Sequence, residues 1–399
     1  MTMLDQVSID ENIIFGNKRC LEEDYIPKHI YMKKEFIDII KEIKKNVSGS
    51  IGHKHHLIYG YSGSGKTISL KYLERDLNND KKSDIKCIYL TCSKYDSSYQ
   101  ILSHLAGKTL KHGVLMDTVQ KEYKNSKIIF ILDEVEKLQD LREKGNILYF
   151  LSRDLPNAIV VLLTNDYKLL DKLNPAVLSS FKPIQSSWAR YKYEELQDIL
   201  NLRIKELEIN KEWYKHNKEA FEGAISMICA HTVKESMGDC RSAIKNLYLL
   251  CRKIQNQKIQ HLNIEKINTT ELHQEASINI EKEVLDKIEE DLLILLGSLL
   301  IEKKTNKNYD IYNKIYKELR DRIISKTSYF KYLTNLQSSE LILITETSVK
   351  SGKTGGKSKE VEVLLENKQL VYDVINERLD INLKTIENQY KKGSLLVYN

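Results

Sequence analysis

Gly60-Tyr-Ser-Gly-Ser-Gly-Lys-Thr67 is the stretch that decides the fold of this chain. It fits G-x-x-x-x-G-K-[ST], in which glycines let consecutive backbone N–H groups wrap a phosphate. The loop lies between an apolar run, Leu57–Tyr59, and a helical stretch, Ile68–Leu77. A strand running into a helix N-terminus is the setting such a loop needs, because the helix dipole adds to the field of the amides. The residues expected around a nucleotide are therefore Gly60, Tyr61, Ser62, Gly63, Ser64, Gly65, Lys66, Thr67 and Ile68. Lys66 should reach the β- and γ-phosphates and Thr67 should ligate magnesium. A second Gly352-Lys353-Thr354 has Thr347 in place of the first glycine and no helix after it, so it is not expected to bind nucleotide.

Working outward, Cys87–Thr91, Ile128–Leu132 and Ile159–Leu163 are short, β-branched runs without polar alternation, which suits parallel strands covered on both faces. The strand ending at Leu132 delivers Asp133-Glu134: Asp133 is expected to hold magnesium and Glu134 to polarise the attacking water. Taken alone, an acidic pair after a strand also fits a plain helix start. Thr164-Asn165-Asp166 puts an amide at the carboxyl end of the sheet, where Asn165 either orients the lytic water or caps the next segment. Past Tyr193 the strand signals stop. Glu194–Leu207, Glu219–Ala230 and Cys240–Ile254 have helical periodicity. Gly238-Asp-Cys-Arg241 opens the last of these, so Arg241 is either a lid arginine reaching the γ-phosphate or an ordinary surface arginine.

A polar, Gln/Asn-rich stretch from Ile254 to Ser277 precedes the apolar helix Val284–Ile301, and helices Tyr309–Arg322 and Thr327–Gln337 follow. Two strands, Leu341–Thr347 and Val361–Glu366, around a Gly/Lys turn complete a winged helix-turn-helix, with a helix Leu370–Leu379 behind it. The expected architecture is α/β plus α: a P-loop parallel-sheet domain over residues 1–192, a helical lid over 193–276 and a winged helix over 277–399. Gln389 to Asn399 reads as a loose tail.

Composition sets the outer limits. With 399 residues, 41% hydrophobic and 30% charged, the chain has ordinary globular proportions and room for two or three domains. No run of ~18 apolar residues and no leader-like start occurs, so a cytoplasmic protein is expected. The six cysteines form no C-x-x-C pair, and the cluster His53, His55, His56 lacks Cys or carboxylate partners, so neither zinc nor disulfides are expected. The net charge of +6 is mild, but Lys303–Lys359 holds thirteen Lys or Arg against five acids, which concentrates basic charge in the C-terminal third. By itself this is equally a solvated face. Coinciding with a helix-helix-hairpin order, it points to nucleic acid.

P-loop, Asp-Glu, Asn and G-D-x-R in this order, with a helical lid, resemble the AAA+ ATPases. The winged helix narrows the resemblance to archaeal origin-recognition initiators, over roughly Tyr25 to Leu379. Tyr25-Ile-Pro27-Lys-His-Ile30 is similar to the family's adenine-side segment, which implies base contacts by Ile26 and Pro27. Tyr191-Lys-Tyr193-Glu-Glu-Leu196 resembles its sheet-to-lid junction and implies a contact by Tyr193. Leu173–Phe181 is a further similar stretch. The resemblance makes Lys66 and Thr67 Walker A, Asp133 and Glu134 Walker B, Asn165 sensor 1 and Arg241 sensor 2, with ATP or ADP and Mg2+ as cofactors. It implies double-stranded origin DNA as partner, a replicative helicase or second initiator as protein partners, and a nucleoid-associated location. DNA contacts fall on an insertion, Asp96–Gly113, on Thr327, Ser328, Tyr329, Lys331 and Tyr332 of the recognition helix, and on Lys353, Lys357 and Lys359 of the wing. Two departures stand out: no arginine occurs between Arg153 and Arg190 to complete a neighbour's site, and Lys33 stands where the family commonly has arginine.

The function expected is an ATP-dependent replication initiator with slow, switch-like hydrolysis. The alternative is a P-loop regulatory or mobile-element ATPase whose winged helix binds DNA without sequence choice or docks a protein.

Overall fold

A computed structural model describes residues 13–49, 55–81, 84–143, 146–339, 341–348, 357–365 and 367–391. The chain divides into two compact units, Met1–His273 and Gln274–Asn399.

The first unit is built on a five-stranded parallel sheet. In chain order its elements are α1 (Lys34–Val47), β1 (His55–Gly60), α2 (Lys66–Asn79), β2 (Ile85–Thr91), α3 (Ser98–Ala106), α4 (His112–Tyr123), β3 (Lys127–Asp133), α5 (Ile147–Arg153), β4 (Ala158–Thr164), α6 (Pro175–Phe181) and β5 (Ile184–Trp188). The strand order is β2-β3-β4-β1-β5. β3 and β4 are buried almost throughout, as near-continuous Ile, Val and Leu require when helices cover both faces. β1 lies between β4 and β5, with Tyr59 paired to Thr164 and Gly60 to Trp188. The loop after β1 and the residue after β4 thus emerge side by side at the carboxyl edge. β5 carries no apolar run, Ile-Gln-Ser-Ser-Trp, and was not among the expected strands: as an edge strand its alternate residues face water.

His55 and His56 belong to β1 rather than to the polar stretch before it, and both are buried. His55 stacks on Phe181 at 5.0 Å, and its Nδ1 accepts from the Val160 amide at 3.2 Å, so it serves the core. The expected insertion, Asp96–Gly113, holds α3 and ends in the first turn of α4. Leu115, Val119 and Tyr123 bury α4 against the sheet, while Lys108–Gly113 and Val114 at the turn stay exposed.

Three helices follow: α7 (Tyr193–Lys205), α8 (Lys211–Ser236) and α9 (Cys240–Asn256). α8 is twice the expected length. An N-terminal strap runs along them: Phe15 bridges Ile209 and packs edge-on to Trp213 at 5.5 Å, and Gly16 and Asn17 donate to Glu208 O and Leu207 O. α10 (Thr269–Lys287) carries the chain into the second unit.

The second unit holds α11 (Glu290–Ile301), α12 (Thr305–Arg320), α13 (Lys326–Ser338), an antiparallel hairpin β6 (Ile342–Ser348) and β7 (Lys357–Val363), then α14 (Lys368–Leu379) and α15 (Leu383–Lys391). This is a winged helix. The single helix expected over Val284–Ile301 is broken: Glu289 adopts extended backbone as N-cap of α11, where Glu290 and Asp291 suit the positive end of a new helix. The expected tail is helical as far as Lys391.

Tyr329 corrects one expectation. Placed by sequence on the DNA face of α13, it is fully buried, and its single hydroxyl proton is shared between Asn308 Oδ1 at 2.8 Å and Thr305 O at 3.1 Å. Tyr332 likewise turns inward, its hydroxyl donating to Asp291 at 3.0 Å. The outward residues are Thr327, Phe330, Lys331 and Thr334, which recur at helical spacing, so the face is rotated about one position from the expected one. Because buried Asn308 also donates to Ser298 Oγ and Glu302 O, the phenol closes a satisfied polar network. Tyr329→Phe is expected to lower stability by about 1–3 kcal/mol, seen as a lower urea midpoint. An unchanged midpoint would mean that this network contributes nothing.

Candidate nucleotide-binding site

The loop from Gly60 to Thr67 is shaped by backbone conformation before any ligand is considered. Gly63 and Gly65 have φ of +77° and +88°, in the left-handed region that side chains rarely adopt. They are also crowded. A Cβ on Gly63 would come within 2.0 Å of the Asp239 carboxylate, and one on Gly65 within 1.9 Å of the Tyr191 hydroxyl. Gly65 is the N-cap of the fourteen-residue α2, so the loop's amides share the positive end of that helix.

Lys66 is buried, and its Nζ donates to Gly60 O at 2.7 Å, Tyr61 O at 3.0 Å and Asn165 Oδ1 at 2.9 Å. Asn165 is thus joined to the phosphate loop by the strand order that sets β4 beside β1. Its amide N–H donates to Glu136 at 3.4 Å, and the Thr164 hydroxyl donates to the same carboxylate at 2.6 Å. Burial pushes the Glu136 carboxyl above its ordinary value.

Across from the lysine, the Thr67 hydroxyl donates to Asp133 Oδ2 at 2.7 Å, and the Tyr89 hydroxyl donates to the same oxygen. The Glu134 amide donates to Asp133 Oδ1 at 2.9 Å, which fixes the carboxylate plane. Glu134 itself has φ of 56°, a left-handed conformation in a non-glycine residue, and is half-buried at the carboxyl edge. One hydroxyl and one carboxylate within hydrogen-bond distance form the hard oxygen pair that magnesium takes. The left-handed glycine cradle and the buried lysine fit the phosphates.

The walls come from the strap and the lid. Arg75 on α2 donates to Ile26 O at 2.9 Å and Pro27 O at 2.7 Å, while Glu206 at the end of α7 accepts from Tyr25 Oη at 2.5 Å and Lys28 N at 2.8 Å. The segment carrying Ile26 and Pro27 is therefore clasped from the P-loop helix and from the lid. Tyr193 opens α7, half-buried, as does Ile68 in the first turn of α2. In α9, Asp239 caps the helix by accepting from Arg241 N at 2.9 Å and pairs with the Arg241 guanidinium at 2.9 Å. Arg241 also lies 3.9 Å from Glu23. Cys240 N donates to Gly63 O at 3.3 Å, so the start of α9 rests on the phosphate loop.

Residues 51–173 match the model of the AAA domain family. The chain is 26% identical over 387 residues to an ORC1-type DNA replication protein of Methanocorpusculum labreanum, covering 87% of each chain. It is 24% identical to ORC1-type DNA replication protein 1 of Sulfurisphaera tokodaii, covering 94% of this chain and 97% of that one. Its fold is similar to the Aeropyrum pernix ORC1 protein solved in complex with DNA, with a TM-score of 0.68, 20% identity, and coverage of 92% and 97%. Residues 51–173 thus carry an AAA domain, and over most of its length the chain is similar to ORC1-type DNA replication proteins.

In this chain the structure brings Lys66, Thr67, Asp133, Glu134 and Asn165 to one edge, with Arg241 held next to the loop by its neighbours. On the second unit, Thr327 and Lys331 are exposed, Ser328 is half-buried, and Lys359 is exposed on β7. Lys353 lies outside the described residues, as does the Lys357 side chain. Sequence reasoning passed over Tyr89, Glu136, Asp239 and Arg75. Only Asp239 had a local signal, its place before a helix.

Gly63→Ala should lower stability by about 1–3 kcal/mol from its left-handed backbone alone, with a further loss from contact with Asp239. That carboxylate is not a free end that can swing away, since it caps α9 and holds Arg241. In a double-mutant cycle read by thermal melting, Asp239→Ala should recover the contact part but not the backbone part. Strict additivity would refute the contact.

Proposed function

We propose that this chain is an ATP-dependent DNA replication initiator that binds origin DNA through its winged helix and the ATPase-domain insertion Asp96–Gly113. The observation that carries this reading is the joining of Lys66 to Asn165 and of Thr67 to Asp133 in a left-handed glycine loop on which the lid rests. Relatives named ORC1-type DNA replication protein, and a similar fold solved with DNA, support the replication role. We assign residues 1–192 to the ATPase core, 193–276 to the lid and 277–399 to the DNA-binding domain.

In the proposed reaction, Lys66 and the loop amides hold the β- and γ-phosphates; Thr67 and Asp133 would hold magnesium, which when bound would supply charge neutralisation there. Asn165 orients a water for in-line attack on the γ-phosphorus. Glu134 takes the water's proton as the bond to the β–γ bridging oxygen breaks, leaving ADP and phosphate. Arg241 contributes positive charge from the lid when it exchanges Asp239 for the γ-phosphate. Turnover is slow because the output is a conformational state rather than product, and the state reports which nucleotide is bound. The protein works on DNA, with a second initiator or a replicative helicase as further partners.

Lys66→Ala should abolish ATP binding, whereas Glu134→Gln should keep binding and lose turnover by at least about 100-fold. Normal hydrolysis by Glu134→Gln would remove it as the base. Footprinting on the replicon's own intergenic DNA with ATP and with ADP tests the initiator role, and protection indistinguishable from random DNA would overturn it. Lys353→Ala with Lys357→Ala should weaken binding at all sequences alike and reduce the salt slope by about 2. A loss confined to one site would mean that the wing reads bases.

A further inference from the structure

In a phosphate-binding loop each peptide plane carries an N–H on one side and a C=O on the other. Whatever grips the carbonyls therefore decides where the amides aim. Lys66 holds the first two carbonyls, Gly60 O and Tyr61 O, from within. The next three are held from outside. Arg190 Nε donates to Ser62 O, Cys240 N to Gly63 O and Lys33 Nζ to Ser64 O, each at 3.3 Å. These planes carry the N–H groups of Gly63, Ser64 and Gly65, of which Ser64 N turns back to Tyr61 O at 3.3 Å. The planes of the Gly63 and Gly65 amides are the ones anchored by charged side chains.

We propose that Arg190 and Lys33 are positioning residues for the phosphates, holding the Ser62 and Ser64 carbonyls outward so that the Gly63 and Gly65 amides face inward. Neither anchor is a loose surface cation. Lys33 is 4% exposed, also donates to Ala189 O, and lies 4.1 Å from the centre of the Tyr191 ring. Arg190 is half-buried 5.3 Å from the centre of the Tyr61 ring. Its second contact gives it a further role: Nη1 donates at 3.0 Å to the carbonyl of Ser236, the last residue of α8 in the lid. One guanidinium thus joins the phosphate loop to a lid helix end, where the partial negative charge favours a cation. A lid movement that carries Ser236 away pulls on the group that orients the Gly63 amide, so phosphate affinity and lid position are linked through Arg190, in addition to any contact made by Arg241.

The inference rests on the nucleotide reading of the loop, and the test separates the two. Wild type, Arg190→Ala and Arg190→Lys are compared by displacement of a fluorescent ADP analogue with inorganic pyrophosphate and with adenosine. Arg190→Ala should weaken competition by pyrophosphate about tenfold, the loss of one charged hydrogen bond, and leave competition by adenosine within about twofold. Arg190→Lys keeps one donor and should recover at least half of the lost pyrophosphate binding on a logarithmic scale. Equal weakening of both competitors in Arg190→Ala and Arg190→Lys would show general loosening and overturn the proposal, as would no change in either. Should Arg190→Ala fail to fold, Arg190→Gln and Arg190→Lys decide the same question. Failure of the wild type to bind the fluorescent analogue would instead overturn the nucleotide reading itself.

Discussion

The arrangement depends on the absence of side chains at Gly63 and Gly65. Both positions need left-handed backbone, and both have their Cβ space taken by other groups, the Asp239 carboxylate and the Tyr191 hydroxyl. The loop is therefore shaped by two demands at once, an open inner face for phosphate and an outer face packed by the sheet-to-lid junction. A loop built only to hold phosphate would satisfy the first. The second ties it to the lid, because Asp239 and Cys240 begin α9 and Gly238 O accepts from Tyr191 N.

Strand order supplies the rest. Placing β1 between β4 and β5 puts Asn165 within reach of Lys66, and placing β3 beside β2 puts Asp133 within reach of Tyr89. None of these pairs is close in sequence, and each links two groups whose positions the pleat and register already determine. The cost of ordering them falls on the core of Ile, Val and Leu along β3 and β4, which is buried for reasons unrelated to chemistry.

The residues legible in the sequence were those whose role depends on local geometry. The P-loop, Asp133-Glu134 and Asn165 each stand at a strand end and can be read from the run before them. Tyr89, Glu136, Arg75 and Arg190 could not be read so, because their partners lie on elements whose adjacency is a property of the fold. Tyr329 failed for another reason. Basic and aromatic residues interleaved on a helix suggest a nucleic-acid face, but the buried stripe Tyr329, Leu333 and Leu336 takes the aromatic ring, leaving Thr327, Phe330, Lys331 and Thr334 outside. β5 was missed because an edge strand need not be apolar.

The charges beside the loop are already paired among themselves. Asp239 sits against Gly63 and neutralises Arg241, which also has Glu23 at 3.9 Å. A nucleotide would bring negative charge to the same place, so Asp239 would face a like charge while Arg241 gained a stronger partner. The two effects act in the same sense, both favouring exchange of Arg241 from carboxylate to phosphate. Because Asp239 is the N-cap of α9, the exchange would alter the cap of a lid helix as well as a side-chain pair. ATP and ADP differ by the γ-phosphate, the group that such an arginine can distinguish. On the proposed reading, Arg241 would share its carboxylate with the cap of a lid helix, so the γ-phosphate would be felt as a change at that cap.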